Sequence, residues 1–404
     1  MSARRGLVIV GGGAAGIGAG LEARQRGIDA LIVEAKDRLG GRAHSIDWRG
    51  HKLDLGCTWM HSAERNSLRI EAERIGAGID RNPTGWFGQY RDLGFSPEEQ
   101  RQAREAFAEL EERLASKPPP SDRASDALEP GSPWNPWLEA LSGYINGAPL
   151  RDVSVADWLA YDNSSSDQNW RLPGGYGALI AALGSGLDCR LATPVTAISR
   201  LQDSVRVETA DGVVEAERVI LTVPTATLGR IRFDPPFEGL LGAAAQLPLG
   251  VADKLFLSLD EPEEFPHGAH LLGNPRSART GSYFLNPLGI PVVEGFFGGE
   301  GARALEDLGE ADAFAFAVDE LAALLGSGIR KRVRPIAMSR WAHEEWIEGS
   351  YSHACPGQAA ARERLAAAGD DRIAFAGEAC SISDYSTAHG AFDSGRAAVR
   401  RLVG

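Results

Sequence analysis

The sequence predicts an α/β protein of two domains, one of them a Rossmann-type nucleotide fold, and three observations predict it. A strand, a glycine turn, a helix and a second strand fit Leu7 to Glu34. Further strand-like runs begin at Cys189 and return near the C-terminus. The 404 residues exceed the length at which a single core stops growing.

The first unit is the most informative. Leu7–Val10 is a continuous apolar run, the pattern of a buried parallel strand. Gly11, Gly13 and Gly16 form GxGxxG, with small residues such as Ala15 opening the helix that follows. Gly11 allows the tight turn, Gly13 lets the backbone approach a pyrophosphate, and Gly16 lets the helix pack close to the strand. The helix start favours phosphate charge through its unpaired N–H groups and dipole. A second strand, Ala30–Val33, ends in Glu34, whose carboxylate is placed to accept ribose hydroxyls. Gly-rich turns also occur as plain structural punctuation, but here strand, helix and acid all stand where the fingerprint requires them. A secretory signal at Arg4–Arg5 is excluded, because the Gly-rich core is poorly apolar and runs straight into a strand. The unit binds a dinucleotide; NAD and FAD are both open at this point.

Composition narrows the class. The chain is 43% apolar and 24% charged, as soluble globular proteins are. No apolar run is long enough for a membrane span. The net charge of −13 argues against a nucleic-acid partner and is compatible with a cationic substrate. Cys57, Cys189, Cys355 and Cys380 lie far apart, which speaks against a disulfide framework or metal site and for a reducing, cytoplasmic setting.

Along the chain, Arg38, Gly40, Gly41 and Arg42 form RxGGR, a flexible approach with a guanidinium poised for phosphate. In Leu53–His61, Gly56 and Trp59 suggest backbone beside a flat ligand, and His61 is a candidate substrate contact. Residues 67–76 read as helix. The charged helix 97–116 reads as a solvated face, and the Pro/Ser/Asp-rich 117–136 as a surface loop. Ser154 is an expected N-cap, and the glycine turn of 171–175 leads into an apolar helix. Two alternating runs from Cys189 join through Asp211-Gly212 as a hairpin, and Arg218–Val223 is another buried strand. Lys254 lies on a strand in VADKLFLSLD, and 310–325 is an amphipathic core helix. Near the C-terminus, a strand at Ile373–Phe375 meets a turn at Gly377-Glu378, and a helix begins near Thr387, a second helix start suited to the electron-rich end of a flavin.

Taken together, DRLGGR, DLGCTWMH, LPGGYGAL, TPVTAI, ILTVPTATL, DKLFL, WAHEEWIEGSYS and FAGEACSISDYSTAHGAFDSG resemble the flavin-containing amine oxidases nearly end to end, and within them the polyamine oxidase and histone demethylase branch. The resemblance implies a two-domain flavin amine oxidase-like fold: a Rossmann-type FAD domain of residues 1–80, 188–240 and 335–404, and an interleaved α+β substrate domain of 81–187 and 241–334. It implies FAD held by Gly11, Gly13, Ala15, Gly16, Glu34, Arg42, Gly56, Trp59, Val195, Trp341, Gly377, Glu378 and Thr387. Because Ser350 stands where some members have the flavin-bearing cysteine, it implies non-covalent FAD. Lys254 matches the lysine that holds a water near flavin N5, Tyr351 one wall of an aromatic cage, and Thr387 the opposite wall.

What the resemblance implies about activity is oxidation of an amine C–N bond. Hydride passes to flavin N5, the imine hydrolyses, and O2 reoxidises the flavin to give hydrogen peroxide. A secondary amine or polyamine is the expected substrate, on His61, Tyr351 and Thr387. An L-amino acid oxidase requires an arginine for the carboxylate, and Arg49, Arg81 and Arg171 are available. A flavin desaturase or a non-oxidising flavoprotein needs no lysine–tyrosine pair. Residues 80–150 match the family poorly.

Overall fold

The computed structural model describes residues 4–403. The apolar run Leu7–Val10 lies in β1 (Arg5–Val10), buried throughout, and the glycine turn feeds α1 (Ala14–Gln25) and then β2 (Ala30–Val33). There follow β3 (Ser45–Trp48), β4 (His51–Asp54), β5 (Trp59–Met60), α2 (Ser67–Arg74), α3 (Pro97–Ser116), α4 (Asn135–Asn146), α5 (Val155–Asp162), β6 (Trp170–Arg171) and α6 (Tyr176–Gly184). The strand-rich middle holds β7 (Cys189–Arg190), β8 (Val195–Arg200), β9 (Val205–Thr209), β10 (Gly212–Leu221), β11 (Arg232–Asp234), α7 (Leu240–Ala245), β12 (Ala252–Leu259), β13 (Ala269–Leu272), β14 (Ser282–Leu285) and β15 (Val292–Gly298). The chain closes with α8 (Glu300–Leu308), α9 (Glu310–Leu325), β16 (Val333–Met338), α10 (Ala361–Ala367), β17 (Ile373–Phe375) and α11 (Ala388–Val403).

Two large sheets result, as the α/β expectation requires, beside the two-stranded pairs β3-β4 and β5-β6. The first is eight-stranded, in the order β11-β8-β9-β10-β1-β2-β7, with β17 also paired to β10. Around β1 it is parallel, with Val8 opposite Leu31 on one side and Val219 on the other. The second is a five-stranded antiparallel sheet, β13-β14-β15-β12-β16, covered by α8 and α9 through Leu305, Phe314, Ala317 and Leu321. Strand alternation on β12 puts Leu255 and Leu257 into that core and turns Phe256 toward Leu53 and Leu55. Lys254 shares the Phe256 face, and its ammonium meets Thr58, a few residues beyond Leu55.

Interleaving departs from the 187/188 and 334/335 divisions at two places. β16 hydrogen-bonds into the second sheet, and α6 packs Leu179, Ile180 and Leu183 on Ile17 of α1. Two local expectations are corrected as well. α3 has the bounds read from the sequence, but it is more than a solvated face: Ala103, Leu110 and Leu114 are fully buried. The 117–136 segment is not a plain surface loop, because Ala124, Ala127 and Trp134 join the same core. Polar residues dominate both segments in number, and a narrow apolar stripe does the packing. Ser154 caps α5 as expected, with the Asp157 N–H donating to its Oγ at 3.2 Å. All four cysteines are free thiols. Among the described residues no helix is long and apolar enough to cross a membrane, and no cluster of His, Cys, Asp and Glu could hold a metal ion.

The two ends of the chain are joined by α1 and α11. Glu22, buried in α1, accepts from Arg26, Arg396 and Arg400 at 3.0–3.2 Å, and the last two lie on α11. The helices touch backbone to backbone: a Cβ on Gly395 would stand 1.9 Å from the Ala15 carbonyl oxygen, and one on Gly18 2.3 Å from that of Phe392. Gly395→Ala is therefore expected to destabilise by about 1–3 kcal/mol through forced separation of the helices. Gly242→Ala, where nothing stands within 4 Å of the added methyl, should be neutral or slightly stabilising. Thermal and denaturant unfolding of the two variants checks this; equal effects would refute the close-packing account.

Candidate active site

Both sheets and both terminal helices open onto one cavity of about 830 Å³. Of the residues singled out from the sequence, Gly11, Gly13, Ala15, Glu34, Arg42, Gly56, Trp59, His61, Val195, Lys254, Trp341, Tyr351, Gly377, Glu378 and Thr387 all line it. Gly16 does not. It sits inside the turn, where a Cβ would meet the Gly11 carbonyl oxygen at 1.9 Å, so its task is helix–strand contact.

At one end stands Glu34 at the tip of β2. Its carboxylate accepts the Gly12 N–H at 2.5 Å and the Lys36 N–H at 2.7 Å, while burial pushes its pKa up. Beside it α1 enters the cavity as a bare N-terminus, for its N-cap is Gly13 and no side chain caps it. Such a terminus is a ready anion site. Further along, Ser350 Oγ is buried without a hydrogen-bond partner on the cavity wall. Cavity volume, uncapped helix, buried acid and orphan hydroxyl fit a bound dinucleotide.

The middle of the cavity is organised by Glu378. Its Oε1 accepts from Arg42 Nη1 at 2.9 Å and from the Ser352 N–H at 3.2 Å. Its Oε2 accepts from Ser352 Oγ at 2.7 Å and the Ser386 N–H at 3.0 Å. Burial opposes its ionisation, yet Arg42 and Arg362 together hold its pKa below the usual carboxylate value. Arg42 also donates to the Ser350 carbonyl. Behind Ser352, Arg362 is 1% exposed, grips Asp157 of α5 at 2.6 and 2.8 Å, and stacks on Tyr385 at 3.6 Å. The guanidinium expected over phosphate is thus fixed from the C-terminal side of the chain.

The other end is aromatic and carries one buried lysine. Lys254 Nζ donates to Thr58 Oγ1 and pairs with Glu294 Oε1 at 3.0 Å. Trp341, 5% exposed, donates its indole N–H to the Leu55 carbonyl at 3.2 Å. Tyr351 donates its hydroxyl to the Tyr144 carbonyl at 2.5 Å, and the Tyr144 ring lies 5.7 Å from that of Phe296. Burial raises the Tyr351 pKa far above the usual phenol range, so the group stays neutral. Thr387 caps α11: its Oγ1 donates to the Asp384 carbonyl and accepts the Gly390 N–H. Trp59 stands edge-on to Trp86 at 5.0 Å. His61 Nδ1 lies 2.7 Å from Asn169 Oδ1, and burial lowers its pKa to about 4. Because that amide oxygen accepts, Nδ1 carries the proton and Nε2 is left as an acceptor.

Sequence reasoning missed much of this end. Thr58, Trp86, Tyr144, Asn169, Phe284, Glu294, Phe296 and Trp346 line the cavity, as do Gln100, Arg104 and Phe107 of α3. Thr58 and Trp346 fall inside DLGCTWMH and WAHEEWIEGSYS without being singled out there, and the others have no motif around them.

Comparisons with known proteins agree with this geometry. The sequence model of the family described as flavin containing amine oxidoreductase matches residues 14–403. Polyamine oxidase 4 of Oryza sativa subsp. japonica is 28% identical over 432 residues, covering 97% of this chain and 87% of the relative. Lysine-specific histone demethylase 2 of Homo sapiens is 25% identical over 97% of this chain, which spans 52% of that longer protein. A wild-type putrescine oxidase bound to putrescine matches with a TM-score of 0.81 at 20% identity over 99% of both chains, a likeness of fold.

Glu378→Gln is expected to weaken flavin binding about 10–100-fold, the worth of about 1.5–3 kcal/mol for a hydrogen-bonded charge. The amide can accept at one atom only, and it leaves Arg42 and Arg362 without their shared anion. Flavin fluorescence on titration of the stripped protein measures it; unchanged affinity would remove Glu378 from the cofactor site.

Proposed function

The chain belongs to the flavin-containing amine oxidoreductase family, and from that premise we propose that it oxidises a secondary amine or a polyamine with non-covalent FAD. When bound, the flavin supplies a hydride acceptor at N5 for the carbon beside the amine nitrogen, after which the imine hydrolyses and O2 is reduced to hydrogen peroxide. What supports this reading above all is a single cavity with an uncapped helix and Glu34 at one end and a buried lysine among aromatic rings at the other.

In this reading Glu34 and Val195 hold the adenosine, and Gly11, Gly13, Ala15 and the α1 N-terminus meet the diphosphate with Arg42. Gly56, Trp59, Trp341, Gly377, Glu378 and Thr387 surround the flavin end. Non-covalent attachment rests on Ser350 and on Cys57, a cavity-wall thiol whose pKa burial pushes up to about 12.

The amine must be neutral when the hydride leaves, because its lone pair drives the transfer. Two features of this chain favour that state. Aromatic walls remove water from the ammonium, and Lys254, Arg171 and Glu294 together carry one net positive charge, which repels a cation. With its hydroxyl tied to Tyr144, Tyr351 offers its ring face to the nitrogen, while Thr387 offers only its methyl side. Lys254, hydrogen-bonded to Thr58, is the residue that moves or holds a proton, and His61 accepts an N–H of the substrate at Nε2.

Polyamines are favoured by the cavity's outer wall. Asp162 and Asp167 line it, and burial together with those two acids pushes nearby Glu111 up to about 7. The three arginines singled out from the sequence are otherwise engaged, Arg49 over Trp48, Arg81 over Trp170 and Arg171 against Glu294. The free cysteines agree with a reducing, cytoplasmic setting.

Anaerobic mixing with a panel of amines should bleach the flavin band near about 450 nm, polyamines and secondary amines fastest. A flavin reduced by none of them refutes the oxidase reading. Lys254→Met should lower turnover at least about tenfold while leaving flavin bound; unchanged kinetics would remove Lys254 from the chemistry. Unfolding in denaturant should release all flavin from the polypeptide, and retained flavin would contradict non-covalent attachment.

A further inference from the structure

Lys254 is 6% exposed, and an ammonium so buried requires an anion. That anion is Glu294. Lys254 on β12 lies opposite Phe296 of β15, and Glu294 is the diagonal neighbour on the same face, opposite Phe256. Its two oxygens serve different cations: Oε1 lies 3.0 Å from Lys254 Nζ, and Oε2 lies 2.6 Å from Arg171 Nη2. Arg171 in turn is held on β6, paired with Trp59 of β5, and its guanidinium lies 4.9 Å over the Trp59 ring. The arrangement is a closed series of contacts: Trp59, Arg171, Glu294, Lys254 and Thr58, which is the residue before Trp59.

We infer that Glu294 is a positioning residue, which Arg171 divides between two cations so that Lys254 is paired through one carboxylate oxygen only and directed at Thr58. The remaining charged or titratable neighbours do not replace it. Asp54 of β4 acts on Lys254 from a distance, but its oxygens accept from Ser45 and from the Tyr176 and Gly177 N–H groups. Cys57 is a neutral thiol. Asp253, the neighbour on β12, points to the other face, where it meets Ser339 and Trp341. Burial alone would favour the neutral acid at Glu294, yet Arg171 and Lys254 bring its pKa down to about 2, so it is an anion throughout the neutral range. Glu294 thus competes for Lys254 with one hand tied to Arg171. Removing the glutamate leaves two buried cations facing each other; removing the arginine gives the glutamate wholly to the lysine.

The inference rests on Lys254 lying at the flavin end, but its test reads the lysine itself and needs no turnover. The chain has five lysines, Lys36, Lys52, Lys117, Lys254 and Lys331, so the flavin-loaded enzyme labelled with [13Cε]-lysine gives a resolvable set of resonances, and Lys254→Met assigns the one of interest. In Glu294→Gln the titration midpoint of Lys254 should fall by about 1–3 pH units. In Arg171→Gln it should remain at or above that of the parent, and Glu294→Asp should restore it to within about one unit. An unmoved midpoint in Glu294→Gln overturns the inference, as does a fall in Arg171→Gln. Should Glu294→Gln fail to fold, the Arg171→Gln and Glu294→Asp midpoints decide alone, and a fall of more than about one unit in either overturns it. Absence of amine oxidation with these midpoints as expected would refute the proposed function and leave the charge relation standing.

Discussion

A single buried carboxylate, that of Glu378, receives hydrogen bonds from residues separated by most of the chain: Arg42 near the N-terminus, Ser352, and Ser386 just before α11. Desolvation makes such a group costly unless every lone pair is met, and here four donors meet it. Arg362, itself anchored on Asp157, supports Ser352 from behind and donates to its Oγ at 2.9 Å. The cavity wall therefore depends on an electrostatic junction more than on local secondary structure. Where α1 and α11 cross, the Glu22 cluster and the glycine contacts perform the same joining with backbone proximity.

The far end of the cavity answers to a different constraint. There the chain places two cations around one anion in an apolar, aromatic enclosure. A buried pair of this kind contributes little net stability and is strongly destabilising when broken on one side. Its value lies in fixing a charge. In the proposed function that net positive charge favours a neutral amine, beside the aromatic side chains of Tyr351 and Phe296 on the cavity wall. On the cavity's outer part Asp162 and Asp167, with the half-buried Glu111 near them, carry acidic groups instead, which in the proposed function attract a cationic substrate.

How much of this was legible in the sequence varied with the range of the interactions. Leu7 to Glu34 was readable because its information is local: strand, turn, helix and acid follow one another, and the fold uses them in that order. The bounds of α3 were legible, 97–116 in sequence and structure alike, while its role was not. Charges at every turn concealed the stripe of Ala103, Leu110 and Leu114. Lys254 was notable only through family resemblance, Arg171 only as one of three candidate carboxylate partners, and Glu294 carried no signal at all, because a diagonal pair across antiparallel strands has no sequence spacing. Trp134 looked like part of a polar loop, and only the folded chain brings Arg276 to 3.8 Å over its ring. Tyr351 and Thr387 were read as two walls of a cage, whereas what engages their hydroxyls was not legible: one donates to a carbonyl and the other caps a helix.

These observations describe one enclosure whose two ends have different chemistry and whose middle is held by Glu378. The most direct test of that account is a crystal structure of the flavin-loaded enzyme. The account predicts the adenosine ribose within hydrogen-bond distance of Glu34 and the flavin ring edge beside Lys254, with Tyr351 on its substrate face. A flavin ring bound at the Glu34 end, or outside the cavity altogether, would contradict it.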